Sequence, residues 1–294
     1  MIVAQDGSGA YTTIQDAIDA TKAFPDKRIT IFIKNGIYHE KVRVPSWNSM
    51  LSLIGEDVDK TIITFDDYFD KINRGRNSTF FTSTFLVEAN DFYAENLTIE
   101  NSAGKVGQAV ALHVGGDRCV FKNCRILGNQ DTVYLYGEKS NHYFSGCTIE
   151  GTTDFIFGSA TAVFSNCDII SKTNSFITAA STPQGKVFGL VFLECNLLAK
   201  EEAKKVYLGR PWRLYAKTVF INCFMGEHIR PEGWQNWGKS EAESNTYYAE
   251  YNNSGAGAKT EKRVIWSHLL TGDEAQKYTV ENILGDWFLT FTKK

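Results

Sequence analysis

A seven-residue pattern with cysteine at its fifth position recurs through the middle of the chain, and it limits the possible folds more than any other feature. The copies occupy residues 120–126, 143–149, 163–169, 191–197 and 219–225. A weaker relative upstream has Leu97 at the cysteine position, and from there the position advances by 27, 23, 20, 28 and 28 residues. Each copy alternates like a strand and is bounded by Gly, Asn or Asp. Such irregular spacing of strand-like units is untypical of helical arrays and predicts a solenoid of strands.

Coils of about 20 to 28 residues, stacked at the ~4.8 Å spacing of neighbouring strands, form a parallel β-helix, and the chain is long enough for about ten of them. The recurring cysteines are then interpreted as small buried apolar residues in successive coils. Stacked cysteines also come within reach of disulfide bonding, so pairing remains open. The asparagines just before the repeated position predict a ladder of turn amides; they are Asn96, Asn123, Asn166 and Asn222.

The open ends of a solenoid must be covered. Residues 13–20 have apolar side chains at helical spacing and predict an N-terminal capping helix. Beyond Trp266 the chain is polar and interrupted by Gly272 and Gly285, which predicts an irregular C-terminal segment. The predicted fold class is therefore all-β, a parallel β-helix with a capping helix and an irregular C-terminal end.

Composition sets the remaining limits. The chain has 294 residues, 43% of them hydrophobic, and only 5 prolines, which predicts a single domain over residues 1–294. A formal net charge of -3 argues against a nucleic-acid partner. Apolar runs such as 29–33 are far shorter than the roughly 20 residues of a membrane span. No basic and apolar leader follows Met1, so the sequence itself shows no export signal.

Four polar residues recur at coil-length intervals. Gln108, Asp131 and Asp154 are 23 residues apart in turn, and Arg210 follows 56 residues later, or two coils of 28. Stacking would place Asp131 and Asp154 about 5 Å apart by backbone, where two partly desolvated carboxyls cannot both ionise easily. One would act as an acid and the other as a nucleophile held by the Arg210 fork. The alternative is that each glycine-flanked aspartate is an ordinary turn residue.

Five ordered segments resemble the signature segments of the pectin methylesterase family: 36–40, 108–112, 130–132, 154–158 and 208–212. The likeness extends nearly end to end, through 231–234, 247–251 and 255–258. It implies a right-handed parallel β-helix that hydrolyses methyl esters of polygalacturonate (pectin) without a metal or organic cofactor. It also implies a monomeric protein that is secreted or periplasmic. Tyr38 and Glu40, in the first segment, are interpreted as structural.

The resemblance also implies a role for each matching residue. Asp154 would be the nucleophile, Asp131 the general acid/base and Arg210 the residue that orients the nucleophile. Gln108 and Gln130 would donate hydrogen bonds to the oxyanion. Nearby aromatic side chains would form a platform for pyranose rings; they are Phe81, Tyr134, Phe157, Trp212 and Trp234. For Phe81, Tyr134 and Phe157, stacking within the core is an equally good interpretation.

Other functions fit the sequence less well. A pectate lyase would need carboxylates around calcium, whereas the acid pair has glutamine and arginine neighbours. A polygalacturonase that inverts configuration needs carboxyls about 6.5 to 9.5 Å apart, wider than one coil. The five histidines lack the i, i+4 spacing of a zinc site, so no metal is predicted. A non-catalytic polysaccharide-binding solenoid remains open.

Overall fold

The computed structural model describes residues 1–292, so the last two residues of the predicted domain lie outside the described range. Its strands, in chain order, are β1 (Ile2–Val3), β2 (Ile29–Ile33), β3 (Gly36–His39), β4 (Val42–Val44), β5 (Leu51–Gly55), β6 (Thr61–Phe65), β7 (Phe85–Val87), β8 (Tyr93–Glu95), β9 (Thr98–Asn101), β10 (Leu112–Val114), β11 (Cys119–Lys122), β12 (Arg125–Leu127), β13 (Val133–Leu135), β14 (Asn141–Ser145), β15 (Thr148–Gly151), β16 (Ile156–Gly158), β17 (Thr161–Ser165), β18 (Asp168–Ser171), β19 (Phe176–Ala180), β20 (Leu190–Leu193), β21 (Asn196–Ala199), β22 (Tyr207–Gly209), β23 (Lys217–Ile221), β24 (Phe224–Met225), β25 (Tyr247–Tyr251) and β26 (His268–Leu269). The helices are short: α1 (Ile14–Asp19), α2 (Phe69–Ile72), α3 (Ser240–Glu243), α4 (Gly272–Ala275), α5 (Val280–Leu284) and α6 (Leu289–Thr292), with 3-10 turns η1 (Gly75–Phe81) and η2 (Ala256–Ala258).

The strands wind into three parallel sheets. We call them sheet A (β1-β2-β5-β8-β11-β14-β17-β20-β23-β25-β26), sheet B (β24-β21-β18-β15-β12-β9-β6-β3) and sheet C (β22-β19-β16-β13-β10-β7-β4). Within residues 1–292 they contain eleven, eight and seven strands, in keeping with the expected ten or so coils. From β2 to β25, successive strands of the chain enter different sheets, so each strand pairs with one from a neighbouring coil.

The seven-residue repeat stacks in register along sheets A and B. Its phenylalanines form a continuous column inside the coil, with ring centroids 4.4 to 4.9 Å apart; they are Phe121, Phe144, Phe164, Phe192 and Phe220. The repeated cysteines lie beside them, at most 1% exposed, and all are free thiols; they are Cys124, Cys147, Cys167, Cys195 and Cys223. The apolar interpretation is thus confirmed, and the structure contains these residues as free thiols. These buried Phe and Cys side chains fill the interior of the coil. Removing their apolar surface from water stabilises the fold.

The four asparagines that directly precede the repeated position have a conformational role. All four have a left-handed backbone with φ between 47° and 58°, which asparagine tolerates better than most residues; they are Asn96, Asn123, Asn166 and Asn222. The amide ladder is only partly formed. Asn123 donates to Asn96 Oδ1 at 2.7 Å, and Asn252 donates to Asn222 Oδ1 at 2.8 Å. Gly146 and Glu194 occupy the equivalent turns between these pairs, so the ladder is interrupted.

The N-terminal capping helix is confirmed as α1. Thr13 caps it through a hydrogen bond from the Asp16 amide. The carboxylate of Glu40 accepts hydrogen bonds from the amides of Ile14 and Gln15, at 2.9 and 3.0 Å. An anion at a helix N-terminus satisfies the free amides there, which gives Glu40 the structural role inferred from the sequence.

The C-terminal segment leaves the coil after β26, as expected, and folds back as α4 to α6. Its apolar residues Ile283, Leu284 and Phe288 pack on the outer face of sheet A, against Tyr143 and Val163 among others. A sheet face that would otherwise expose Val and Tyr side chains to water is thereby covered.

Candidate active site

The two aspartates lie on turns that lead from sheet B into sheet C. Asp131 is between β12 and β13, and Asp154 is between β15 and β16. Both side chains line one cleft of about 470 Å³, together with Gln108, Gln130 and Arg210. The five residues that the sequence assigned to catalysis therefore share a single space.

Both aspartates have left-handed backbones, with φ of 64° at Asp131 and 51° at Asp154. Aspartate is among the few residues that accept this conformation, which is sparsely populated and concentrates at functional sites. The turn interpretation and the catalytic interpretation of these residues are therefore compatible. Each left-handed aspartate lies two residues before a strand of sheet C, and its side chain lines the cleft.

The register brings the two acids to neighbouring coils. Val133 pairs with Ile156, two residues after the respective acids, and the Asp131 amide donates to the Thr153 carbonyl at 3.0 Å. The 23-residue spacing is thus correct for Asp131 and Asp154. It is off by one for Gln108, whose bridge partner is Gln130 rather than Asp131. The two glutamines therefore form a step of their own, one residue before the acids.

Arg210 reaches Asp154 from further away than the coil arithmetic suggested. The register mate of Asp154 is Phe176, and that of Phe176 is Tyr207, so Arg210 lies three residues beyond the expected alignment. Its long side chain closes the gap. Nε donates to Asp154 Oδ1 at 2.9 Å and Nη2 to Oδ2 at 2.6 Å, a bidentate pair.

The guanidinium of Arg210 is held between two aromatic rings. Its central carbon is 4.0 Å from the Phe176 ring centroid and 3.7 Å from that of Trp237. Stacking of this kind suits the flat, weakly hydrated guanidinium and would be lost with lysine. Neither ring was predicted, although Phe176 lies one coil step beyond Asp154.

The electrostatics separate the two carboxyls. Asp131 is 9% exposed and Asp154 is 5% exposed. Burial raises the pKa of Asp131 well above its usual range, and the nearby Asp154 raises it further. Burial also raises the pKa of Asp154, but the Arg210 hydrogen bonds and charge oppose this rise. Because Asp154 has a directly bound cation, the protonated form is favoured more strongly at Asp131 than at Asp154.

The aromatic residues around the cleft differ from the predicted platform. Phe157 and Trp212 line the cleft, whereas Tyr134 does not: it is 6% exposed and stacks on Phe157 with centroids 4.7 Å apart. Phe81 does not line it: its ring is exposed and lies under the Arg74 guanidinium, whereas Phe80 next to it lines the cleft. Position within a 3-10 turn cannot be read from apolar periodicity.

The prediction that Trp234 belongs to the sugar platform is wrong. It is 1% exposed and stacks on Tyr248 in the core, so it cannot face a sugar. Its indole nitrogen donates to Glu250, whose carboxylate forms a buried ion pair with Arg263 at 2.8 Å. The motifs at 231–234 and 247–251 therefore contribute to this internal network. Trp237, which is partly buried, lines the cleft instead.

The arrangement supplies the groups needed for acyl transfer. It has a carboxylate paired with an arginine, a second carboxyl of raised pKa one coil away and two side-chain amides beside them, all in one cleft. Within residues 1–292 there is no cluster of three or more His, Cys, Asp or Glu that could hold a metal ion. No helix in this part of the chain is long and apolar enough to cross a bilayer.

The fold and the cleft are those of a parallel β-helix with groups suited to acyl transfer. Comparisons with known proteins specify the family. A family model described as Pectinesterase matches residues 1–286. Pectinesterase 31 of Arabidopsis thaliana is 41% identical over 281 residues, which cover 93% of this chain and 88% of that relative. The chain spans about half the length of some other relatives. For example, it covers 53% of an Arabidopsis thaliana protein described as probable pectinesterase/pectinesterase inhibitor 6.

Solved structures agree with the sequence comparison. Pectin methylesterase from carrot has a TM-score of 0.93 and 35% identity, with 100% of this chain and 96% of that chain covered. A pectin methylesterase in complex with a hexasaccharide has a TM-score of 0.86 and 32% identity, with 97% of each chain covered. The chain belongs to the pectinesterase family. The predicted family, the right-handed parallel β-helix and the class of carboxylic ester hydrolase are thereby confirmed.

Proposed function

We propose that this chain removes methyl esters from polygalacturonate with Asp154 as nucleophile and Asp131 as general acid and base. The observation that carries the proposal is the bidentate Arg210–Asp154 pair in the cleft that also contains the protonated Asp131. One carboxyl is charged and aimed while its neighbour holds a proton. Family membership supports the ester substrate, and the hexasaccharide complex of the structural relative supports a sugar chain in the cleft.

In the first half of the reaction, an Asp154 oxygen attacks the ester carbonyl carbon. The negative charge that develops on the carbonyl oxygen accepts hydrogen bonds from the side-chain amides of Gln108 and Gln130. Asp131 transfers its proton to the methoxy oxygen as the carbon–oxygen bond breaks. Methanol leaves, and an anhydride joins Asp154 to the sugar carboxyl carbon.

In the second half, Asp131 is ionised and takes a proton from water. The resulting hydroxide attacks the sugar carbonyl carbon of the anhydride. The bond between that carbon and the Asp154 oxygen then breaks. The sugar acid leaves, Asp154 recovers its carboxylate beside Arg210, and Asp131 is protonated for the next cycle. Arg210 stabilises Asp154 as the leaving group in this step.

The reaction is tested by incubating the protein with methylated polygalacturonate in the presence of a chelator. We expect methanol and acid in equal amounts, no ultraviolet-absorbing unsaturated product and no shortening of the chain. Asp154→Asn and Asp131→Asn should each remove turnover, while Asp168→Asn, an aspartate in β18, serves as the matched control. An unsaturated product, shortened chains or full turnover by Asp154→Asn would contradict the proposal.

The same proposal covers the setting of the protein. We infer that the described coil and cap act as one catalytic domain, as a monomer, in a secreted or periplasmic location. The proposed substrate is a cell-wall polymer, which a protein inside the cytoplasm would not meet. Sedimentation at micromolar concentration and fractionation of the producing cells test these two points.

A further inference from the structure

Arg210 reaches Asp154 with a long side chain, and that side chain runs back along sheet C. Its backbone follows Gly209, the register mate of Thr178. The guanidinium instead lies over Phe176, two residues earlier in β19, with its central carbon 4.0 Å from the ring centroid. An arginine side chain has many rotamers, and only a few present the fork to both carboxylate oxygens. Contacts that exclude the other rotamers therefore favour the bidentate pair.

Phe176 contacts both members of the ion pair. Its carbonyl accepts a hydrogen bond from the Asp154 amide at 2.9 Å, and its ring lies against the Arg210 guanidinium. Trp237 also covers the guanidinium, at 3.7 Å, but Trp237 lines the cleft. Among the described residues, Phe176 does not belong to the cleft lining. Its ring therefore acts on the ion pair from outside the space that the substrate occupies.

Further contacts support the Phe176 ring from the next coil. It stacks on Tyr207, its register mate in β22, with centroids 5.2 Å apart and planes at 11°. The Tyr207 ring in turn lies 4.7 Å from the guanidinium carbon of Arg230, which pairs with Glu232 at 3.2 Å. Stacked rings and a cation over a ring are both favourable contacts. A continuous series of contacts thus links the catalytic arginine to an ion pair one coil away.

We propose that Phe176 is a positioning residue that holds the Arg210 fork in the plane of the Asp154 carboxylate, with Tyr207 as its support. This inference rests on the proposed function. A flat guanidinium stacked on a ring is restricted in orientation, so the carboxylate that it binds is restricted as well. Attack on the ester requires the nucleophilic oxygen to point in one direction. Loss of the ring should therefore lower kcat and leave KM unchanged.

The test measures kcat and KM for methanol release from methylated polygalacturonate. The variants are Phe176→Leu, which loses the ring, Phe176→Tyr, which keeps it, and Tyr207→Leu. Phe188→Leu is the matched control, because Phe188 is also a partly buried phenylalanine in contact with a tyrosine ring. It packs on the outer face of sheet A, away from Arg210.

We expect Phe176→Leu to lower kcat about tenfold, or about 1.4 kcal/mol on the barrier, with KM changed by less than about twofold. Tyr207→Leu should lower kcat about threefold, because the ring that it supports becomes less restricted. Phe176→Tyr should retain most of the rate, since the aromatic face is kept. Phe188→Leu should retain all of it.

A double-variant comparison separates positioning from a general loss of stability. Arg210→Lys removes the flat group on which the Phe176 ring acts. Adding Phe176→Leu to Arg210→Lys should therefore lower kcat by less than about twofold, instead of about tenfold. The same tenfold fall in both backgrounds would show that the ring acts independently of the guanidinium, and would overturn the inference.

Three other results would also overturn it while leaving the proposed function intact. One is a higher KM with unchanged kcat in Phe176→Leu, which would make Phe176 a substrate contact. Another is an equal loss of rate in Phe176→Tyr and Phe176→Leu. The third is an unchanged kcat in Tyr207→Leu, which also decides the question if Phe176→Leu does not fold. The absence of methanol release by the unaltered protein would instead contradict the proposed function.

Discussion

Replacing Arg210 is the most informative single change, because the structure shows what it would remove. Arg210→Gln deletes a bidentate ion pair whose side chains are 20% and 7% exposed and leaves Asp154 in a desolvated cleft without its cation. Removing one partner of such a buried pair costs about 3 kcal/mol, at the lower end of the range because Arg210 retains some solvent contact. Because Arg210 also orients the nucleophile, we expect kcat/KM to fall about 100-fold, which is about 2.7 kcal/mol on the activation barrier.

The pH profile gives a sharper readout than the rate. Arg210 lowers the pKa of Asp154 through its hydrogen bonds and charge, and lowers the pKa of Asp131 through its charge. Without it both pKa values rise. Asp154 must be ionised and Asp131 protonated in the free enzyme, so both limbs of the kcat/KM profile should move to higher pH. Arg210→Lys keeps the charge but not the fork, so its rate should fall with a smaller displacement of the limbs.

The assay is methanol release from methylated polygalacturonate between pH 4 and pH 10, with unfolding in urea as the stability control. The double variant Arg210→Gln/Asp154→Asn removes the uncompensated charge, so it should recover stability without recovering turnover. A lower rate in Arg210→Gln with both limbs unmoved would refute the electrostatic role assigned to this residue.

Three further outcomes are expected. Burial lowers the pKa of His142 to about 4, below its unfolded value of 6.5, so the unfolded state binds more protons and stability should fall by up to about 3 kcal/mol as pH decreases from 6.5 to 4. Urea unfolding at the two pH values measures this decrease in the free energy of unfolding, and the decrease should be smaller in His142→Asn. Glu250→Gln should destabilise the fold by about 3–5 kcal/mol, because Arg263 would keep a buried charge without its partner; a calorimetric change below 1 kcal/mol would contradict this. Trp212→Ala should raise KM with little change in melting temperature, whereas Trp234→Ala should lower the melting temperature, since only the former indole lines the cleft. The same effect in both variants would show that the two tryptophans are not distinguished by location.

The repeat could be interpreted from the sequence because its physical cause is local. Alternation within each copy defines a strand, and identical residues in successive copies must stack if the strands pair in parallel. The phenylalanine and cysteine columns follow directly. The asparagine turns were recognised for the same reason, since a left-handed turn favours that residue wherever it occurs.

The candidate site was predicted less completely, and the misses have one origin. Coil length is constant only where strands follow one another without insertion. Between Asp131 and Asp154 this holds, and the register is correct. Between Asp154 and Arg210 the two successive register steps differ in length. The sequence spacing therefore identified Arg210 as the partner of Asp154, but not the distance that its side chain spans to reach the carboxylate.

The chain by itself determined the winding of the backbone, the buried columns and the identity of the acid pair, because these depend on alternation and on one regular coil step. The tertiary structure decided what occurs in the irregular segments between strands. It placed Trp234 in the core and Trp237 on Arg210, and brought Phe80 rather than Phe81 into the cleft. The direction of a side chain in a turn depends on the local backbone and on neighbours distant in sequence, neither of which a periodic pattern encodes.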